Sequence, residues 1–221
     1  MNPIESIKNE IIVTGRALID RGLVAGTWGN ISARVPGTDW VAVTPSGRDY
    51  QKLTAADIVV VNRDGNVVEG GLKPSSELPM HMAIYSKRPD LAAIVHTHSV
   101  FASACAAARK PLPPVIEDLI QLAGGSIEIA DYALPGTDAL AENTVKALGD
   151  RQAVLLANHG VVGCGTDLTE AVLACELVEK GAQIYIYANQ LGGAHVLSEE
   201  DVAVMRRFYL EHYRKRQKGA E

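Results

Sequence analysis

The chain contains 221 residues, of which 47% are hydrophobic and 21% charged, with a formal net charge of −5. This composition supplies the apolar side chains for a full core, and it excludes a disordered or low-complexity protein. Because phosphate contacts require clustered Lys and Arg, a mildly acidic chain without a basic stripe is a poor match for a nucleic-acid-binding protein. No run of 18 apolar residues occurs, so we predict no membrane-spanning segment and no membrane partner.

The N-terminal segment and the cysteines bear on cellular location. The first 22 residues carry charge in every helical turn and lack the apolar stretch of a signal peptide. The three cysteines, Cys105, Cys164 and Cys175, are far apart and form no CxxC pair, which argues against a disulfide framework and against a thiolate zinc site. We therefore expect a cytoplasmic protein whose cysteines pack in the core.

Hydrophobic spacing and turn residues divide the first third of the chain into a helix and several short strands. Apolar residues at helical spacing predict a helix over 3–21, ended by Gly22. The segments TWGNISARV and VAVTPSG are typical of strands joined by a turn at 36–39. After them, TAADIVVVNRDGNVVEG predicts a short helical start, a strand over Ile58–Val61, a DG turn and another strand.

The rest of the chain alternates helices with strands. A helix capped by Ser75 or Ser76 is expected to run to about Lys87, with Pro79 tolerated in its first turn. The remaining predicted elements are, in chain order, a strand in LAAIVHTHS, a helix over 100–108, a helix over 114–123, an extended segment over 127–132, a helix capped by Thr137 or Asp138 that reaches Leu148, a strand pair in AVLLANHGVVGCG, a long helix opened by Asp167 or Thr169, and a last helix in SEEDVAVMRRFYLEHYRKR. Strands from both halves are able to join one sheet with helices on its faces, so we predict an α/β fold in a single domain over residues 1–221.

Two histidines stand at the end of an apolar strand, in the sequence VHTHS. Side chains two residues apart on a strand leave the same face roughly 7 Å apart, so His96 and His98 can bind one metal ion. His159 follows another apolar strand in LLANHG, although Asn, His and Gly tolerate left-handed backbone and so also suit a simple turn. Three histidine ligands leave one coordination position free for substrate, which is typical of a catalytic rather than a structural zinc site.

Glu77 and the small polar residues around it suggest an acid–base group beside a phosphate site. At a predicted helix N-terminus, Glu77 either only complements the helix dipole or ligates the metal and moves a proton. The hydroxyls and backbone amides of a helix start also suit an anion, and with the turns GNIS and TPSG they predict a phosphate cradle. His81, four residues after Glu77, is either a partner of Glu77 or core packing, and the sequence favours packing.

Five motifs in order, GTWGNIS, VTPSG, KPSSE, VHTHS and LLANHG, resemble those of the class II aldolase/adducin family over residues 5–209. The resemblance implies an α/β domain with a central, mostly antiparallel sheet flanked by helices, and a C4 homotetramer with active sites at subunit interfaces. The implied activity is the cleavage of a ketose 1-phosphate, such as L-fuculose 1-phosphate or a 5-deoxypentulose 1-phosphate, into dihydroxyacetone phosphate and a small aldehyde. Zinc is the implied metal, with manganese or cobalt as alternatives.

The same resemblance implies a role for each residue that matches a family motif. His96, His98 and His159 would be the metal ligands. Glu77 would be the acid–base residue and a possible fourth ligand. The residues that would hold the substrate phosphate are Asn30, Ser46, Gly47, Ser75 and Ser76.

The side of the site that serves the aldehyde departs from the family pattern. The family's interface tyrosine falls in the segment PPVIEDLIQLAGG, where alignment on AGG places Asp118, with Glu117 beside it. An acidic residue is still able to handle a proton, so Asp118 is the candidate at this position. The family's C-terminal tyrosine corresponds to Tyr209 or to Tyr213, and the sequence leaves the aldehyde product open.

Other functions also fit these motifs. A pentulose-5-phosphate 4-epimerase or a decarboxylase of phosphorylated oxo-acids would use the same scaffold, although the epimerase motif usually carries Asp where this chain has Glu77. A non-catalytic binding module like the adducin head domain is disfavoured, because that domain has lost metal ligands that are present here. A (β/α)₈ amidohydrolase barrel, whose metal site also begins with an HxH strand, is excluded because that fold typically needs about 250 residues.

Overall fold

The structure is a computed structural model that describes residues 2–217 and 219. The α-helices in this part of the chain are α1 (Pro3–Asp20), α2 (Leu78–Lys87), α3 (Val100–Ala107), α4 (Glu117–Ala123), α5 (Asp138–Leu148), α6 (Leu168–Gln190), α7 (Glu199–Phe208) and α8 (Arg214–Gln217). The strands are β1 (Asn30–Arg34), β2 (Val41–Val43), β3 (Val59–Val61), β4 (Val67–Glu69), β5 (Ala93–Thr97), β6 (Ile129–Ala130), β7 (Ala153–Leu156) and β8 (Gly160–Gly165). A 3₁₀ turn at Ala55–Asp57 and a π-helical turn at Tyr209–Tyr213 complete the regular structure of the described residues.

The strands form an eight-stranded sheet in the order β4-β3-β2-β1-β5-β8-β7-β6. Neighbouring strands are antiparallel, except that β6 and β7 are parallel. The pairing of β1 with β5 joins the strands of the first third of the chain to those of the rest. This mostly antiparallel sheet with helices on its faces confirms the predicted fold class.

Different helices cover the two faces of the sheet. Helices α2 and α5 pack on one face, and α1, α3, α4 and α6 pack on the other. Side chains alternate along β5, so that Ile94 faces α2 while Ala93 and Val95 face α1 and α6. The same alternation directs His96 toward the face that carries α2, where Glu77 lies.

Helix α6 packs closely on β8 because the strand is rich in glycine. A Cβ atom at Gly163 would lie 2.6 Å from the carbonyl oxygen of Ala171 and 2.7 Å from Sγ of Cys175, so only glycine permits this approach. All three cysteines are free and buried, as predicted. Although α6 is 23 residues long, neither it nor another helix of the described residues is long and apolar enough to cross a membrane.

Two helix starts confirm the capping predictions and select between their alternatives. The Thr137 side chain accepts a hydrogen bond from the backbone N–H of Leu140 at the start of α5. The Asp167 side chain does the same for Glu170 at the start of α6. These contacts satisfy N–H groups that have no partner within the helix.

The predicted start of α2 was wrong by one or two residues. Glu77 itself occupies the N-cap position, and its side chain makes no capping hydrogen bond. Ser75 lies in the preceding turn, where its Oγ accepts a hydrogen bond of 3.2 Å from the backbone N–H of Glu77. The backbone N–H of Ser75 donates to the carbonyl oxygen of Thr44 at 3.0 Å and holds Ser75 in this turn, so the helix begins only at Leu78.

Two other predicted helices also differ from the structure. The segment 114–123 is helical only from Glu117, because Leu112 pairs with Ile127 and keeps the preceding chain extended. The last predicted helix is interrupted after Phe208 by the π-helical turn. Buried Tyr209 packs at the start of this turn, and Arg214, just beyond it, forms an ion pair with Glu170.

Candidate metal centre and active site

Three histidine side chains converge at the ends of neighbouring strands. His96 lies in β5, His98 follows the last residue of that strand, and His159 lies in the turn between β7 and β8. Because β5 pairs with β8, Nε2 of His96 lies 2.9 Å from Nε2 of His98 and 3.3 Å from Nε2 of His159. The candidate ligand atoms of all three lie within 4.8 Å of one another. The structure thus brings together the three histidines that the sequence singled out.

The turn that carries His159 depends on close backbone approach. Asn158 adopts left-handed backbone with a φ of 56°. Gly160 passes so near β5 that a Cβ atom there would lie 2.3 Å from the carbonyl oxygen of Thr97 and 3.1 Å from Cδ2 of His98. Any other residue would push β8 away from the histidines. The NHG sequence therefore forms a turn and also carries a candidate ligand.

Burial keeps the two histidines of the VHTHS motif neutral. Desolvation lowers the pKa of His96 well below its ordinary value, and His159 and His98 lower it further. Burial, and then His159, also lower the pKa of His98. Nδ1 of His96 lies 3.0 Å from the carbonyl oxygen of Val161. Since a carbonyl oxygen only accepts, Nδ1 carries the proton of neutral His96, and its Nε2 presents a lone pair to the cluster.

Glu77 faces the histidine cluster from the start of α2. The residue is 6% exposed, and its Oε2 lies 3.3 Å from Nε2 of His96. Oε2 also accepts a hydrogen bond of 2.7 Å from Nδ2 of Asn30. Oε1 lies 3.6 Å from Nε2 of His159 and, among the described residues, has no hydrogen-bond partner despite its burial. A buried carboxylate oxygen without a partner is unfavourable unless a ligand satisfies it.

These groups fit a divalent metal ion. Three imidazole nitrogens and a carboxylate are donors that zinc accepts, and neutral imidazole is the form that ligates a metal. The lone pair on Nε2 of His96 and the unpartnered Oε1 of Glu77 both gain a favourable contact from a cation between them. His96, His98 and His159 would hold the metal, with Glu77 as a possible fourth ligand.

A cavity of about 240 Å³ opens beside the histidine cluster. Two loops form one wall, because Pro45 and Pro74 form an antiparallel bridge and the backbone N–H of Ser46 donates to the carbonyl oxygen of Lys73 at 3.0 Å. This pairing places the TPSG and PSSE turns side by side. The residues predicted to hold a phosphate all line the cavity; they are Asn30, Ser46, Gly47, Ser75 and Ser76.

Asn30 differs from the other four because its amide contacts buried protein groups. Its Nδ2 donates to Glu77, and its Oδ1 lies 2.5 Å from Nε2 of His81. His81 is fully buried, and its Nδ1 lies 2.7 Å from Oγ of Ser32. The interpretation of His81 as plain core packing was therefore wrong, because both ring nitrogens are hydrogen-bonded and one of them leads to Glu77 through Asn30.

The residues predicted for the aldehyde side do not line this cavity within the subunit. Asp118, in α4, forms an ion pair with Lys180 of α6, and Glu117 beside it is exposed. Tyr209 is 4% exposed and packs in an apolar cluster with residues of α4 and α6. Tyr213 is 46% exposed. Their catalytic roles therefore stay predictions about an assembled protein.

Two further residues that line the cavity, Thr27 and Trp28, received no role from the sequence. Trp28 is 67% exposed, and its ring stacks on that of His98 with 6.2 Å between centroids. Gly26 and Gly29 flank the pair with positive φ angles of 62° and 113°. The signal in the sequence was the pair of glycines around Thr27 and Trp28, because glycines permit a turn that brings backbone and side chains to the edge of a site.

Comparison with known proteins identifies relatives over almost the whole chain. The family model of the class II aldolase and adducin N-terminal domain matches residues 9–186. A 5-deoxy-D-ribulose 1-phosphate aldolase of Bacillus thuringiensis serovar kurstaki is 40% identical over 199 residues, which cover 90% of this chain and 93% of the relative. An L-fuculose phosphate aldolase of Escherichia coli K12 is 38% identical over 200 residues, which cover 90% of this chain and 92% of the relative. A solved structure of an L-fuculose 1-phosphate aldolase, 40% identical, matches with a TM-score of 0.90 over 93% of this chain and 96% of its own.

These matches agree with the five ordered motifs and with the architecture of the sheet. They extend over both halves of the chain, so they include the loops beside the cavity as well as the histidine-bearing strand ends. The chain therefore belongs to the class II aldolase/adducin family, as an enzyme of the aldolase type.

Proposed function

We propose that this enzyme uses a divalent metal, zinc in the first instance, to cleave a ketose 1-phosphate reversibly into dihydroxyacetone phosphate and a small aldehyde. The names of its relatives favour L-fuculose 1-phosphate or a 5-deoxypentulose 1-phosphate as the substrate. One observation above all supports this function: the three histidine nitrogens and Glu77 meet beside a cavity lined by two serine-containing turns. A metal site, an acid–base group and an anion site are the parts that such a reaction requires.

The reaction breaks the bond between carbons 3 and 4 of the sugar. The hydroxyl group on carbon 4 gives its proton to a base on the aldehyde side and becomes the aldehyde, and the bonding electron pair stays on carbon 3. A metal held by His96, His98 and His159 would polarise the ketose carbonyl as a Lewis acid and so stabilise this charge. Glu77 takes up a proton from solvent and gives it to carbon 3 through Oε1, because Asn30 binds the other oxygen.

The substrate phosphate lies, in this proposal, against the turns at Ser46–Gly47 and Ser75–Ser76. Ser46, Gly47 and Ser76 are exposed, and α2 begins two residues beyond Ser76. The positive end of a helix dipole and the N–H groups of a helix start favour a phosphate at such a position. Asn30 adds to this site, because the amide has two N–H donors and gives one of them to Glu77.

A neighbouring subunit completes the aldehyde side in this proposal. Among the described residues that line the cavity, Glu77 is the sole acidic side chain and no tyrosine is present. In a homotetramer, Asp118 of a neighbour and a C-terminal tyrosine would supply the missing groups. Exposed Tyr213 fits this role better than Tyr209, since burial raises the pKa of Tyr209 to about 12 and removes its side chain from the surface.

The test is the release of dihydroxyacetone phosphate, followed by NADH oxidation in a coupled assay. L-Fuculose 1-phosphate, 5-deoxy-D-ribulose 1-phosphate and their stereoisomers are the substrates, before and after treatment with a chelator. We expect release that the chelator abolishes and that added zinc, manganese or cobalt restores. The ranking of substrates then shows which aldehyde the site accepts, and the ranking of metals shows which ion supports turnover.

Failure of this assay would point to a different reaction. If zinc-loaded protein released no dihydroxyacetone phosphate from the panel, the aldolase proposal would be wrong. Pentulose-5-phosphate 4-epimerase and phospho-oxo-acid decarboxylase assays on the same protein would then identify the reaction. A protein that neither retained nor used any divalent ion would instead indicate a non-catalytic module.

A further inference from the structure

A chain of buried polar side chains leads from Glu77 into the protein interior. Nδ2 of Asn30 lies 2.7 Å from Oε2 of Glu77, and Oδ1 of Asn30 lies 2.5 Å from Nε2 of His81. On the other side of the ring, Nδ1 of His81 lies 2.7 Å from Oγ of Ser32, which lies 2.9 Å from the hydroxyl of Tyr85. All five residues are at most 6% exposed, so the protein itself must satisfy their polar atoms.

The direction of each hydrogen bond follows from the carboxylate end. Oε2 of Glu77 accepts from the NH₂ group of Asn30, so the amide oxygen of Asn30 faces His81. An amide oxygen also only accepts, so Nε2 of His81 carries a proton. Burial lowers the pKa of His81 to about 3, although Glu77 opposes this effect, and the ring is therefore neutral. Its Nδ1 then accepts from the hydroxyl of Ser32, and Ser32 in turn accepts from Tyr85.

We propose that His81 is a positioning residue for the reaction: its Nε2–H fixes the orientation of the Asn30 amide, and Asn30 in turn holds the Glu77 carboxylate with Oε1 facing the histidine cluster. This role rests on the proposed aldolase function, in which Glu77 moves the proton. Without the donor on His81, the Asn30 amide would be free to rotate by 180° about its last bond. Its oxygen would then face Oε2 of Glu77, and the contact would change from attraction to repulsion.

The geometry explains why a histidine rather than an apolar residue occupies this position. Helix α2 otherwise packs on the sheet through apolar side chains such as Ile84. A buried imidazole in such an environment is unfavourable unless both nitrogens are hydrogen-bonded. Asn30 and Ser32 lie two residues apart on the same face of β1 and meet the two nitrogens of the ring.

Two substitutions separate the hydrogen bond from simple packing. His81→Gln keeps a donor, because the amide nitrogen of glutamine lies about as far along the side chain as Nε2 of histidine, whereas His81→Leu fills the space without a donor. With L-fuculose 1-phosphate and metal-loaded enzyme, we expect His81→Leu to lower kcat roughly tenfold to hundredfold. KM should change less than kcat, since the turns at Ser46–Gly47 and Ser75–Ser76 still bind the phosphate even if the Asn30 amide rotates. His81→Gln should recover most of the lost kcat.

Ile84→Val provides the matched control for lost stability. Ile84 is fully buried on the same helix, so this variant should lower the midpoint of unfolding while kcat stays at the wild-type value. The proposal would be overturned if His81→Leu kept wild-type kcat, if His81→Gln were as slow as His81→Leu, or if only KM changed. Metal content is measured for every variant. If a His81 variant lost its metal, this would also contradict the proposal that His81 acts only on Asn30 and Glu77.

The tautomer of His81 supplies a test that needs no substrate. In ¹⁵N-labelled, metal-free protein, the ring nitrogen shifts of His81, assigned by comparison with His81→Gln, should show a proton on Nε2 and none on Nδ1 from pH 5 to 8. A proton on Nδ1, or a doubly protonated ring, would overturn the proposed hydrogen-bond direction. If the wild-type enzyme cleaves no ketose 1-phosphate while the Nε2–H tautomer is present, the aldolase function fails and the hydrogen-bond chain stands.

Discussion

The candidate metal ligands and Glu77 are distinguished by what surrounds each side chain. Because burial lowers the pKa of His96 and of His98, both are neutral at pH 7 and a metal displaces no proton from them. Glu77 touches the same cluster but is also held by Asn30. Removal of a histidine and removal of the carboxylate charge should therefore have different consequences.

We expect His96→Ala to lose bound metal and aldol cleavage together, because it removes the central nitrogen of the cluster. Glu77→Gln should keep the metal and slow cleavage by roughly 10²–10⁴-fold, the usual contribution of an acid–base residue. Metal analysis by mass spectrometry and the dihydroxyacetone phosphate assay measure the two effects. Glu142→Gln, a charge change at an exposed position of α5, is the control. Full turnover in Glu77→Gln would show that another group moves the proton.

Buried His81 makes the stability of the metal-free protein depend on pH. Its pKa is about 3 in the folded state, against an ordinary value of 6.5. Between these values the unfolded state binds a proton that the folded state does not, so the free energy of unfolding falls as the pH decreases through this window. The expected slope is up to about 1.4 kcal/mol per pH unit for this residue. Urea unfolding of chelator-treated protein from pH 7 to 4.5 should show a shallower slope in His81→Gln, and equal slopes would contradict this.

At the scale of secondary structure elements, hydrogen bonds of the Arg206 side chain connect α7 to the end of α4. Its Nη1 donates to the carbonyl oxygens of Gln121 and Leu122, and its Nη2 donates to Oε1 of Gln152 at 2.6 Å. The last carbonyl groups of a helix lack partners within the helix, so the guanidinium satisfies groups that would otherwise stay unpaired. Tyr209, at the next turn of the chain, is buried against the same region. The C-terminal segment that carries Tyr213 is therefore positioned by this contact.

We expect Arg206→Lys to destabilise the protein by about 1–3 kcal/mol. The planar guanidinium group of Arg206 reaches three acceptor oxygens at once, and the single ammonium group of lysine cannot. Arg207→Lys, at the exposed neighbouring position, should change stability by less than about 0.5 kcal/mol. The midpoints of urea unfolding measure both effects. The assignment of Arg206 as the contact between α7 and α4 would be wrong if the two variants unfolded at the same midpoint.

At the scale of the whole molecule, all described strands belong to one sheet, which supports the proposal that the chain acts as one domain. The histidine cluster and the turns at Ser46–Gly47 and Ser75–Ser76 come from one subunit. The proposed aldehyde-side residues lie elsewhere on the subunit, since Asp118 pairs with Lys180 on α6. If they take part in the reaction, they act on a neighbouring subunit's cavity, and activity requires the oligomer.

Mixing two inactive variants tests this assembly. His96→Ala lacks the proposed metal half of the site and Asp118→Asn lacks the proposed aldehyde half, so each variant alone should be impaired. When the two are unfolded and refolded together in equal amounts, random assembly should restore about a quarter of wild-type activity, because one interface in four combines two intact halves. Light scattering confirms the oligomeric state. An enzyme that is active as a monomer would contradict a site that Asp118 completes from a neighbouring subunit. So would a mixture that recovers no activity although Asp118→Asn alone is impaired.

Local sequence determined most of the elements and the candidate metal ligands. The helical spacing of α1, the apolar runs of β5 and β7, and the caps at Thr137 and Asp167 act over a few residues, so periodicity and residue type were sufficient to predict them. His96 and His98 were recognisable because two imidazoles on one strand face have few uses other than a shared ligand. The family motifs then indicated the reaction class.

Which distant residues meet depends on the tertiary structure. Strand order depends on long-range pairing and on burying both faces of the sheet, neither of which leaves a local pattern in the sequence. The pairing of β1 with β5 sets Asn30 opposite His96, and the packing of α2 on the same face brings Glu77 and His81 to the Asn30 amide. The sequence therefore predicted a phosphate-binding role for Asn30 and packing for His81, whereas the fold joins them in one chain of hydrogen bonds behind the Glu77 carboxylate.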